Sequence, residues 1–81
     1  MKIVWDEPKR LINLSKHGLD FADLTLEFFL NAQVGPAKQG RFQAVGRLAD
    51  GTILVVFILL GTQGLSVTSM RPASKKERSI L

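Results

Sequence analysis

The apolar positions change their spacing along the chain, and each change marks an element. Lys2-Ile3-Val4-Trp5 is short and β-prone. Asp6 suits a helix N-cap, and Pro8 falls in the first turn, where a missing N–H costs little. Leu11, Ile12 and Leu14 then lie on or near one helical face, and Gly18 is placed to stop the helix in a left-handed conformation. These signals predict a helix over residues 7–17. Asp20 predicts the cap of a second helix, whose stripe of Phe21, Leu24, Leu26, Phe28 and Phe29 runs to Leu30-Asn31. The stretch from Gly35 to Gly40 has loop composition.

Beyond residue 40 the period becomes two. Arg41 to Leu48 alternates, with Phe42, Ala44 and Leu48 on one parity and Arg41, Gln43 and Arg47 on the other. Asp50-Gly51 is a two-residue hairpin signal. Thr52 to Leu60 is almost continuously apolar and predicts a central strand buried on both faces. Gly61 to Gly64 reads as a turn. Leu65 to Arg71 alternates again, with Leu65, Val67, Ser69 and Arg71 predicted on one side and Pro72 ending the strand. Ser74-Lys75-Lys76-Glu77 has capping-box spacing and opens a short third helix. The predicted order is β-α-α-β-β-β-α: an α+β fold, helices on one face of a mostly antiparallel sheet, in a single domain over residues 1–81.

Composition narrows the function. Eleven Lys and Arg against seven Asp and Glu leave a formal net charge of +4. That favours an anionic partner, nucleic acid or an acidic protein ahead of a membrane surface. There is no cysteine and one histidine, so neither a disulfide framework nor a multi-histidine zinc site can be built. The longest apolar run, Ile53 to Leu60, is far short of the roughly 20 residues of a bilayer span. The expectation is a soluble, cytoplasmic protein without cofactor or metal.

Four stretches resemble one known family. They are Trp5-Asp6-x-Pro8-Lys9 with Asn13-x-x-Lys16-His17-Gly18; Phe21-Ala22; Arg41-Phe42-x-Ala44-x-Gly46 with Asp50-Gly51 and Leu54-Val55-Val56-Phe57; and Ser69-Met70-Arg71-Pro72-Ala73-Ser74-Lys75-Lys76-Glu77-Arg78. Together they resemble the BrnT toxins of BrnT/BrnA type II toxin–antitoxin pairs, across nearly the whole chain. The resemblance implies a RelE-like fold and metal-independent endoribonuclease activity that inhibits translation. It also implies neutralisation by a BrnA-like ribbon-helix-helix antitoxin, through which alone operator DNA is bound. The chain departs from the pattern at Ser66, where an arginine is common, and at Leu59-Leu60, where Glu-Arg is common. These departures keep two other readings open: a degenerate member that only binds its antitoxin, and a small basic RNA-binding module.

Cleavage of RNA through the ribose 2′-OH needs a base, a proton donor for the leaving 5′-oxygen, and cations for the phosphorane charge. His17 is the acid–base candidate, since an imidazole changes charge near neutrality, and Lys16 stands beside it. Its structural alternative is a cation at a helix C-terminus. Arg41 and Arg71 are candidate phosphate clamps, because a guanidinium meets two phosphate oxygens at once. Arg47, Lys75, Lys76 and Arg78 are candidate RNA-backbone contacts, or else a solvated basic surface. Glu77 reads as the capping-box acid. Trp5, Phe21, Phe28 and Phe29 are assigned to the core or a partner interface.

Overall fold

A computed structural model of the chain describes residues 1–49 and 51–80. In chain order the elements are β1 (Lys2–Trp5), α1 (Glu7–His17), α2 (Leu26–Asn31), β2 (Gln33–Pro36), β3 (Phe42–Leu48), β4 (Gly51–Leu60), β5 (Gly64–Pro72) and α3 (Lys75–Arg78). Single 3₁₀ turns occupy Phe21–Asp23 and Lys38–Gly40. The five strands form one sheet in the order β1-β5-β4-β3-β2. β1 runs parallel to β5, and the other neighbours are antiparallel. The α+β class, the mostly antiparallel sheet and the central position of the apolar strand all hold.

One sheet face carries the core. Ala44, Ile53, Val55, Phe57, Leu65, Val67 and Met70 pack there against Phe21, Leu24, Phe28 and Phe29, with Ile3 and Trp5 alongside. The rings interlock edge to face: Phe28 with Phe29 at 5.2 Å and Phe29 with Phe57 at 5.3 Å between centroids. Burying a side chain of this size contributes about 1.5–3 kcal/mol. All four aromatics named from sequence belong to this core or its margin.

Four expectations need correction. The second helix does not start after Asp20. Asp20 accepts from Ala22 N and caps only the 3₁₀ turn, while Thr25 caps α2 by accepting from Phe28 N. The presumed loop at 35–40 contains half of β2, so the order has one strand more than expected. β2 is an edge strand, where Gly and Pro are tolerated because no second neighbour needs its N–H groups. β4 is buried on both faces only over Ile53 to Val55 and at Phe57; Ile58, Leu59 and Leu60 are exposed. Finally, Ser69 and Arg71 do not share a side with Leu65 and Val67. Val56 pairs with Ser69 but Phe57 pairs with Val67, leaving Thr68 as a bulge. The extra residue turns Met70 into the core and Ser69 and Arg71 to the opposite face. Thr68 Oγ1 donates to Val56 O at 2.9 Å within the bulge.

The Asp50-Gly51 hairpin signal includes Asp50, which lies outside the described residues. Among the described residues no helix is long and apolar enough to cross a membrane.

Candidate active site

The candidate site is built on the last turns of α1. Gly18, at φ 69°, ends the helix and donates its N–H to Leu14 O at 2.8 Å. This is the left-handed stop that the sequence predicts, and it leaves Lys16 and His17 at the helix end. The apolar residues placed on or near one helical face are not the buried ones. Leu11, Ile12 and Leu14 are exposed, and the buried residue of α1 is Asn13.

Asn13 explains how the helix is held. β1 pairs with β5 only as far as Val67, so the edge of β5 beyond it lacks a strand neighbour. Asn13 Oδ1 accepts from Met70 N at 3.1 Å, and Asn13 Nδ2 donates to Leu19 O at 3.2 Å. One buried amide thus replaces the missing strand partner and fixes the turn after His17. Arg10 supplies a second brace across that turn. It makes paired contacts to Glu7 at 2.7 and 2.8 Å and to both Asp20 oxygens at 3.1 Å. Hydrogen bonds from Arg10 and then the Trp5 indole hold the Glu7 carboxyl down at about 2. The backbone N–H of Ala22, followed by Arg10, lowers that of Asp20.

Between α1 and the β5 bulge lies an open cleft of about 270 Å³, lined by Lys9, Ile12, Asn13, Lys16, His17, Thr68 and Ser69. Two ammonium groups, one imidazole and two hydroxyl-bearing residues therefore share one concavity. Lys9 and Ser69 are additions to the sequence-derived set. The spacing Lys9, Ile12, Asn13, Lys16 is i, i+3, i+4, i+7, one stripe of a helix, and could have pointed to Lys9. Nothing local to Ser69 signals its place, which follows from the bulge.

The other candidates are dispersed. Arg71 lies two residues beyond Ser69 on the same face, about 7 Å along the strand. Its guanidinium is engaged: Nη1 and Nη2 each donate to Glu77 at 2.8 Å, and Nη1 also meets Pro72 O at 3.2 Å. Glu77 completes the expected capping box with Ser74, and Arg71, then Ser74, holds its carboxyl at about 2. The same carboxylate raises the Arg71 pKa. Arg41 directly precedes β3, two strands away from β5, and donates to Gln39 Oε1 at 3.2 Å. Arg47 lines a shallow pocket with Glu27 and Asn31 beside α2, not the His17 cleft. Lys75, Lys76 and Arg78 are exposed on α3. Among the described residues no cluster of His, Cys, Asp and Glu could hold a metal ion.

The chain as a whole has known relatives. Residues 5–77 match the model of a family described as ribonuclease toxin, BrnT, of type II toxin–antitoxin systems. The chain belongs to the BrnT family of ribonuclease toxins. Its fold matches the crystal structure of the Brucella abortus ribonuclease toxin BrnT with a TM-score of 0.87 and 55% identity. That match covers 93% of this chain and 99% of the Brucella one. A comparison with curated proteins finds no significant match. Membership in a BrnT type II family implies an antitoxin as partner. The Lys16-His17-Gly18 block that carried much of the BrnT resemblance ends α1, and its Lys16 and His17 line the cleft.

Proposed function

We propose that the chain is an active, metal-independent endoribonuclease that inhibits translation in the cytoplasm, and that the α1–β5 cleft is where RNA is cut. The observation that carries this reading is the meeting of His17 with Lys9, Lys16 and Ser69 in one cleft. In the proposed reaction the 2′-OH of the substrate ribose attacks the adjacent phosphorus. The bond to the 5′-oxygen breaks, leaving a 2′,3′-cyclic phosphate and a 5′-OH. His17 moves the proton, and the Lys9 and Lys16 ammonium groups face the charge that grows on the phosphorane oxygens. Arg71 is the adjoining phosphate contact. Arg41, Arg47, Lys75, Lys76 and Arg78 track the RNA backbone away from the scissile bond.

We further propose that the antitoxin is a BrnA-like ribbon-helix-helix protein, which brings the complex to operator DNA. A second reading, a member that binds its antitoxin without cutting RNA, is favoured by one contact: Glu77 occupies both outer nitrogens of Arg71. One experiment separates the two. The purified chain is incubated with RNA in excess chelator, and the fragment ends are analysed. The active reading expects cyclic-phosphate ends, with a rate reduced by about 10²–10⁴ in His17→Ala. Equal cleavage by a folded His17→Ala protein, or no cleavage by the native chain, overturns it.

A further inference from the structure

The chain leaves β5 through Arg71-Pro72-Ala73 and enters α3 at Ser74. Ala73 N donates to Thr52 O at 2.9 Å, which keeps this turn against the sheet. Ser74 Oγ then accepts from Glu77 N at 3.2 Å, and Glu77 Oε1 accepts from Ser74 N at 2.8 Å. The capping box therefore does more than start a single helical turn. It anchors a carboxylate to backbone within reach of the Arg71 guanidinium.

What this pair does depends on which of the five guanidinium N–H groups it takes. Nη1 donates both hydrogens, to Glu77 Oε1 at 2.8 Å and to Pro72 O at 3.2 Å. Nη2 donates one, to Glu77 Oε2 at 2.8 Å. The second Nη2 hydrogen and the Nε–H meet no protein acceptor among the described residues. These two lie side by side on one edge of the planar group, a fork that matches two oxygens of a phosphate. The Arg71 side chain remains 42% exposed, so it is open to a ligand from solvent.

We infer that Glu77 is a positioning residue: with Pro72 O it locks the Arg71 guanidinium and leaves its Nε–Nη2 edge as a bidentate clamp for an RNA phosphate. The inference rests on the ribonuclease reading for the identity of the anion, and on the hydrogen bonds for the clamp. A long side chain that is ordered only on binding gives up part of the energy of its contact. Three contacts order this one beforehand. The Glu77 charge itself opposes a phosphate. It stands, however, among Arg71, Lys75, Lys76 and Arg78, so the segment keeps a net positive charge. Occupation of both outer nitrogens therefore does not disable Arg71.

The test needs a probe that offers phosphodiesters and cannot be cut through a 2′-OH: a short single-stranded 2′-O-methyl RNA. Affinity for the whole chain is measured by fluorescence anisotropy at fixed salt. The Arg71 Nε–H signal is followed by NMR and assigned by its absence from Arg71→Lys. Glu77→Gln keeps an oxygen for the Ser74 N–H, and thermal melting verifies that the fold survives. The probe is expected to shift the Nε–H signal of the native chain. Glu77→Gln is expected to weaken binding at least about threefold, the effect of leaving one long side chain to be ordered on binding. In the Arg71→Lys background, which has no fork, Glu77→Gln is expected to cause no further weakening. The inference is overturned if Glu77→Gln weakens binding less than about threefold, or tightens it, which makes the carboxylate a bystander or a competitor of the phosphate. It is equally overturned if the probe leaves the Nε–H signal in place, or if Glu77→Gln weakens binding as much beside Lys at position 71 as beside Arg. Cleavage of unmodified RNA is read separately. A chain that holds the probe through Arg71 without cutting RNA defeats the ribonuclease reading and leaves the clamp standing. A chain that cuts RNA while Glu77→Gln binds normally defeats the clamp alone.

Discussion

Asn13 does at one residue what a sixth strand would otherwise do. Its amide joins Met70 N to Leu19 O while buried between α1 and β5. Removing a buried partner leaves the other groups dry and unpaired, at a cost of roughly 1–3 kcal/mol. Asn13→Ala is therefore expected to lose stability of that order in urea denaturation. It should also lower RNA cleavage, because the same amide fixes the turn after His17. Glu77 gives a pH prediction. Its carboxyl is held at about 2 in the fold against 4.5 as an ordinary value. A depressed carboxylate stabilises the fold above about 4.5 and loses that contribution as pH falls toward 2. Glu77→Gln should flatten the melting curve over that window, modestly and less at high salt, because the Arg71 pair is partly solvated. A melting profile equally steep in both proteins would exclude the pair as the cause.

At the scale of elements, what the sequence revealed and what it hid have separate physical causes. Helix stops are local chemistry, so Gly18, Lys16 and His17 were legible, as was the Ser74–Glu77 capping box. β2 was hidden because Gly35-Pro36 is loop-like in composition and becomes a strand only by pairing with β3. The bulge at Thr68 was hidden because no residue type demands it. It inverted the predicted side of Ser69 and Arg71, and with that the membership of the site. The long second helix failed because Asp20 and Thr25 both cap, and a single amphipathic stripe ran through both. The β1–β5 pairing carries its own test. A Cβ on Gly64 would lie 2.8 Å from the Lys2 carbonyl oxygen, so β1 would have to shift. Gly64→Ala is expected to destabilise by about 1–3 kcal/mol. Gly35→Ala, where a Cβ meets nothing within 4 Å, should be close to neutral. Urea midpoints of the two variants decide it.

At the scale of the whole molecule, the net charge of +4 is less informative than its distribution. Arg10 and Arg71 answer internal carboxylates, Glu7 with Asp20 and Glu77. Lys9 and Lys16 face the cleft, while Lys75, Lys76 and Arg78 stand exposed on α3. α3 is tethered beside the cleft strand through the Arg71–Glu77 pair, so its cations can lie along the same RNA without reaching the scissile phosphate. Under the proposed function their contribution is to binding, through release of counterions from the RNA backbone. For single strands each phosphate contact adds about 0.7 to the slope of log K against log salt. Replacing Lys75, Lys76 and Arg78 by Gln is expected to reduce that slope by roughly 2 and to raise KM at low salt. The turnover number should be unchanged, because His17 and Lys16 stay in place. Replacing Lys16 should instead lower turnover, with a smaller change in slope of about 0.7. Filter-binding titrations across a salt series, with single-turnover cleavage under the same conditions, separate the two effects. A triple variant with the native salt slope would remove α3 from the RNA surface.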